Sequence, residues 1–203
     1  MIDVQGWLAA GGLAVLAAVV FAESGLLVGF FLPGDTLLFL AGFLSSSAGG
    51  NVLPPLPVTA TVVFLAAAAG DQVGYLIGRR FGPSLFQRPQ SRLFNPANVV
   101  RARAFFEHRG PSAVVIARFI PVVRTFTPIV AGVAAMRYRR FVAYNLLGAA
   151  LWGVGVTTLG YYLGEIQFIK NNLDYAAIAI LVVSLMPVAV EFARHRRTPA
   201  EVG

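Results

Sequence analysis

Cysteine is absent from this 203-residue chain, which excludes disulfide bonds and thiolate metal or redox centres and leaves the redox compartment open. Histidine occurs only as His108 and His195, both in basic stretches. Neither belongs to a ligand cluster, so no metal and no cofactor are expected. Charged residues make up 12% of the chain against 57% hydrophobic, too few to coat a soluble globule. The length suits one membrane domain, residues 1–203. The amino-terminal apolar run Trp7 to Ala22 lacks the basic start of a signal peptide, having Asp3 there instead, and Val20 with Ala22 makes a poor cleavage site. It reads as a retained membrane helix with Trp7 at the interface.

The charge that is present is mostly basic, net +7. In a soluble protein this would point to nucleic acid. Here the arginines lie in loops beside apolar segments, where topology and anionic headgroups account for them, and no nucleic-acid partner is expected. The stretch Gly110 to Met136 is apolar enough to enter a bilayer, yet it holds Arg118, Arg124, Pro121 and Pro128. An arginine at bilayer depth costs about 2.5 to 3.5 kcal/mol on insertion scales, so two of them point to a polar cavity or pathway. Arg79, Arg80, Arg88, Arg92, Arg101, Arg103 and Arg109 precede the stretch, and Arg137, Arg139 and Arg140 follow it. The positive-inside rule puts both clusters in the cytoplasm. A segment with both ends on one side does not cross, and residues 112–136 read as a re-entrant hairpin lining a cavity.

The remaining segments follow from the same rule. Residues 25–44 are apolar but broken at Pro33-Gly34-Asp35, and Ser45 to Pro57 is an uncharged loop. Val58 to Gly78, Phe141 to Gly164 and Tyr175 to Phe192 can each span, the last closed by Arg194, Arg196 and Arg197. Within the linker 79–111, Asn95-Pro96 starts and Gly110-Pro111 stops an amphipathic helix over Ala97 to Arg109 at the cytoplasmic surface. The tail 193–203 and the amino terminus are then cytoplasmic as well. With the first helix running outward, residues 25–44 enter and leave on the outer face, opposite to residues 112–136.

A faint repeat accompanies this arrangement. Phe31-Leu32-Pro33 recurs as Phe119-Ile120-Pro121, Ala41-Gly42 as Ala131-Gly132, and the run Gly74 to Gly78 as Gly160 to Gly164. Opposed topology makes it an inverted repeat, which in transporters sets the site at the midplane between broken helices. The fold class expected is an all-α integral membrane protein: an inverted-topology repeat with two opposed re-entrant helical hairpins and about four membrane-spanning helices.

Few polar residues lie inside these segments. Glu23 ends the first helix, Asp35 follows the break at Pro33 and Gly34, and Arg118 and Arg124 flank Pro121. Each also has a plain structural reading: Glu23 as a solvated interfacial residue, Asp35 as a helix cap, either arginine as a snorkelling side chain. Two acids in one half and two arginines in the other instead fit charge compensation across the repeat interface. Asp71 and Glu191 fall near the ends of predicted spans and read as interfacial.

Glu23, the Phe-x-Pro-Gly-Asp motif at Phe31 to Asp35 and the Arg-Phe-x-Pro-x-x-Arg motif at Arg118 to Arg124 resemble the DedA family of bacterial inner-membrane proteins, related to eukaryotic VTT-domain lipid scramblases. The likeness continues through Gly78-Arg79, Ala131-Gly132, Asn145 and Trp152 and covers roughly Phe21 to Gly164. The resemblance implies opposed re-entrant hairpins in a small helical bundle in the bacterial inner membrane. It also implies lipid movement across that membrane, with links to undecaprenyl phosphate recycling, phospholipid translocation and proton-dependent transport. The family's required acids match Glu23 and Asp35, and its required arginines match Arg118 and Arg124.

The function expected is therefore a flippase- or scramblase-like lipid translocase, moving a polyprenyl phosphate carrier or a phospholipid. Two guanidiniums can hold a phosphate headgroup by bidentate, charge-assisted hydrogen bonds while the tail stays in the bilayer. Protons are a candidate coupling ion through Glu23 and Asp35. The alternative is a proton-coupled transporter of small ions or solutes using the same acids. No nucleophile with a partnering histidine is evident, so the chain does not read as an enzyme.

Overall fold

A computed structural model describes residues 4–25, 34–85, 100, 104–106, 108–164 and 166. Pro33 and the rest of residues 26–33, the third predicted spanner Tyr175 to Phe192, Glu191 and the basic tail lie outside the described residues. So do residues 86–99 and 101–103 of the linker; of its predicted amphipathic helix, residues 104–106 and 108–109 are helical.

The described chain is all helical. Helix α1 is Val4–Gly25, α2 is Gly34–Leu44 and α3 is Leu56–Leu85. Helix α4 is Ala113–Ala117, α5 is Pro121–Val133 and α6 is Tyr138–Ala149. A π-helical turn at Ala150–Val154 leads on into α7, Gly155–Gly164. Two stretches, Leu56–Gly82 and Tyr138–Gly164, are long and apolar enough to cross a membrane. At 1.5 Å per residue, α2 and α5 are roughly 16 and 20 Å long, short of a hydrocarbon core about 30 Å thick.

Two hydrophobic cores hold the bundle. One gathers Leu16, Val20, Leu38, Val63 and Trp152. The other gathers Tyr75, Val114, Ala131 and Phe141, where the Tyr75 ring stacks on Phe141 at 4.5 Å and its hydroxyl donates to the Met136 carbonyl at 2.5 Å. Along α3, Asp71 falls between Ala68 of the first core and Tyr75 of the second; along α6, Asn145 falls between Phe141 and Ala149. A polar layer thus separates two apolar ones on both long helices.

The short helices pack closely on the long ones, α2 against α7 and α5 against α3. Both contacts depend on reciprocal glycines. A side chain at Gly42 would strike the Thr157 carbonyl and the Tyr161 amide, and one at Gly160 would strike the Phe39 carbonyl. In the second pair, Gly132 meets the Tyr75 carbonyl and the Arg79 amide, and Gly78 meets the Ile129 carbonyl. Small residues admit such backbone approach between membrane helices. The sequence match sets Gly78 against Gly164. The contacts instead give Gly78 the same surroundings as Gly160, one helical turn away, because packing follows backbone positions whereas the match follows letters.

Candidate functional site

The polar layer is built at helix ends. Pro121 opens α5 at its first turn, where its missing N–H costs nothing. It holds the preceding Ile120 extended, at φ −112° and ψ 108°, which stops α4. Arg118 caps the end of α4, and Arg124 donates its backbone N–H to the Ile120 carbonyl at 2.9 Å in the first turn of α5. The two guanidiniums therefore flank the break at residues 118–120.

Arg124 forks between two acids. Its Nη1 donates to Asp35 Oδ1 at 2.6 Å, and its Nη2 donates to Glu23 Oε1. Local electrostatics explain the match. Helix amino termini favour negative charge and carboxyl termini positive charge, by about 0.3 to 1 kcal/mol each. Glu23 in the last turn of α1 and Arg124 in the first turn of α5 both carry the sign their own helix disfavours, and each supplies the other's counter-charge. Asp35, in the first turn of α2, has the favoured sign. Gly34 has a steric role: a side chain there would enter the Glu23 carboxylate.

Arg118 has a separate set of partners. Its Nη1 donates to Asp71 Oδ2 and to Asn145 Oδ1 at 2.9 Å, while Asn145 Nδ2 donates to the Ala68 carbonyl at 3.1 Å. Trp152 joins the two sets. Its Nε1 donates to Asp35 Oδ1 at 2.7 Å, and its ring lies 4.7 Å from the Arg124 guanidinium carbon and 5.4 Å from that of Arg118. The residue sits in the π-helical turn, a feature frequent at functional sites. Two buried polar atoms of the cluster have no hydrogen-bond partner, Glu23 Oε2 and Arg118 Nε.

The structure thus brings together Glu23, Asp35, Arg118 and Arg124. It corrects one expectation, the place of Asp71. Asp71 is not interfacial: only 4% exposed, it lies near the middle of the span Leu56–Gly82. Helix α3 continues past Gly78, the expected end of the span, to Leu85. Gly34 is the first residue of α2, and the residues just before it lie outside the described residues. At Pro121 the irregular backbone is residues 118–120, and Pro121 is the first residue of the next helix.

Chemically, three carboxylates and two guanidiniums meet around one indole, an excess of one negative charge when all are ionised. Such a cluster can hold an anion on its arginines or take up a proton on its acids. Ile116, Phe119, Ile120, Val123 and Phe126, on and beside the break, are exposed. An apolar surface therefore lies next to the buried charges. A cavity of about 320 Å³ is lined by Phe106, Pro111, Ala134, Met136, Arg137 and Arg140 among others, none of them from the charge cluster.

Comparison with known proteins agrees with the motifs. The VTT domain matches residues 32–162. Protein DedA of Escherichia coli (strain K12) is 42% identical over 187 residues, covering 92% of this chain and 84% of that protein. An uncharacterized membrane protein of Mycobacterium tuberculosis (strain ATCC 25618 / H37Rv) is 44% identical over 203 residues, covering 97% and 88%. Inner membrane protein YghB of Escherichia coli (strain K12) is 34% identical over 176 residues, covering 87% and 77%. No solved structure matches. With a domain match over more than half of its length, and relatives this similar along most of theirs, the chain belongs to the DedA family of VTT-domain membrane proteins.

Proposed function

We propose that this protein is a lipid translocase of the bacterial inner membrane, flippase- or scramblase-like, which passes a phosphate headgroup across the bilayer while the tail stays in lipid. A polyprenyl phosphate carrier or a phospholipid fits the reading. The observation that carries it is the pair of buried guanidiniums on either side of a helix break whose outer surface is apolar and exposed. Planar forks suit phosphate oxygens, and an apolar edge beside them suits an acyl or prenyl tail.

In this reading the whole chain, residues 1–203, is one membrane domain. Residues 25–44 and 112–136 are opposed re-entrant hairpins of an inverted repeat, and the arginine clusters, the linker 79–111, the tail 193–203 and both termini face the cytoplasm. The shortness of α2 and α5 supports the hairpins, and the matched glycine contacts support the repeat. Protonation of Glu23 or Asp35 would loosen Arg124 and give a route to proton coupling.

The test is lipid flux in proteoliposomes of the purified chain, comparing a polyprenyl phosphate with a common phospholipid. Wild type moves at least one of them, and Arg118→Lys/Arg124→Lys, which keeps both charges without the planar fork, loses most of that flux. Full transport by the double lysine variant sinks the headgroup clamp and leaves a counter-ion role. Absence of lipid movement alongside proton-linked flux of small solutes favours a solute transporter.

A further inference from the structure

Asp71 lies outside the motifs that carry the family resemblance, and its bond to Arg118 is incomplete in an informative way. Arg118 is 5% exposed, yet a single terminal nitrogen, Nη1, serves both Asp71 and Asn145. Its Nε–H is buried with no acceptor. A carboxylate paired with arginine at full strength takes two donors side by side; Asp71 takes one. The guanidinium therefore keeps an unmet donor in a place where an unmet donor is costly.

The other supports of Arg118 do not depend on Asp71. Asn145 is fixed by its own bond to the Ala68 carbonyl, and the Trp152 ring lies beneath the guanidinium. Asp71 stands in the middle of a long continuous helix. Arg118 stands at the end of a five-residue helix, beside irregular backbone. Of the two partners, Arg118 is the one whose main chain has room to adjust.

We propose that Asp71 is a positioning residue that acts as a resident stand-in for the headgroup phosphate. It occupies Arg118 while the site is empty and is displaced when a phosphate takes the guanidinium along the edge shared by Nε and Nη2, where the unmet Nε donor lies. This rests on the headgroup reading above and adds to it that affinity is set by competition between Asp71 and the phosphate for one guanidinium. Asn145, being neutral, holds Arg118 in place without competing.

The experiment is equilibrium binding of radiolabelled geranylgeranyl monophosphate to the purified full chain in detergent, with geranylgeraniol as the phosphate-free control. Asp71→Asn removes the competitor and is expected to bind the phosphate at least tenfold more tightly, with no change for the alcohol. Asp71→Glu restores a competing carboxylate and returns affinity toward wild type, a rescue that a merely structural role would not predict for binding. Asn145→Asp puts a second carboxylate on Arg118 and is expected to bind at least tenfold more weakly. That variant carries the test if Asp71→Asn does not fold. Wild type that binds phosphate and alcohol equally overturns the headgroup reading and the exchange with it. Wild type that prefers the phosphate, with Asp71→Asn no tighter or Asn145→Asp no weaker, overturns the exchange alone.

Discussion

Arg118 and Arg124 flank one helix break, yet their surroundings differ in kind. Arg124 is forked between two carboxylates, each on its own terminal nitrogen, and one of those acids, Asp35, is 19% exposed at its side chain. Arg118 shares one nitrogen between a carboxylate and a neutral amide, with both ionic side chains no more than 6% exposed. The Arg124 side carries the excess negative charge and the more accessible acid. The Arg118 side is balanced and deeply buried. The difference leaves a partly exposed carboxylate on the Arg124 side, whereas losing a charge at Arg118 strands a fully buried partner.

The sharpest way to break this comparison is through proton coupling. In proteoliposomes, Asp35→Asn is expected to abolish the dependence of lipid flux on an imposed pH gradient, bringing the ratio of fluxes with and without gradient to one. Asp71→Asn is expected to keep a ratio above one. An unchanged response in Asp35→Asn removes Asp35 as the coupling site, and loss in Asp71→Asn alone would reverse the assignment.

Stability separates the two sides next. Removing one member of a buried pair leaves an uncompensated charge and costs about 3 to 5 kcal/mol. Arg118→Gln is expected to lose about that much in thermal unfolding, and Arg118→Gln/Asp71→Asn is expected to recover most of it. Arg124→Gln strands two carboxylates, one of them the buried Glu23, and is expected to lose more. Equal losses would mean that the two sites are electrostatically alike.

The smallest effect concerns the residue they share. Trp152→Phe keeps an aromatic face beneath both guanidiniums and deletes only the Nε1 bond to Asp35, worth about 1 to 2 kcal/mol for a bond to a charged group. Its loss should be confined to the Arg124 side, seen as a changed gradient response with binding of the phosphate lipid within a few-fold of wild type.

Much of this site was legible because charge in an apolar run is conspicuous. Glu23, Asp35, Arg118 and Arg124 stand out for that reason, and Pro121 marks where α4 must stop. Asp71 was within about three residues of the middle of the expected span Val58 to Gly78, so its depth was legible; what a linear sequence does not show is that Arg118 folds back to meet it. Asn145 and Trp152 entered only through family likeness, since an amide and an indole in a membrane span have many plain uses. Trp152 lies in the π-helical turn, which no local pattern announces. The matched letters set Gly78 against Gly164, whereas the backbone contacts of Gly78 parallel those of Gly160, because glycines four residues apart on a helix look equivalent until a partner's backbone picks one.

The swapped packing of the short helices bears on how the protein is made. Helix α2 finds its closest partner in α7, and Asp35 finds Arg124 and Trp152, but the ribosome delivers α2 before any of them. Synthesis of the intervening chain, Ser45 to Val154, takes on the order of ten seconds at typical rates. During that interval an 11-residue apolar helix with a carboxylate in its first turn is too short to span and can pack only on α1 and α3. Its early lodging in the membrane is therefore provisional. The closest seat of α2, the backbone approach between Gly42 and Gly160, waits for the late arrival of α7.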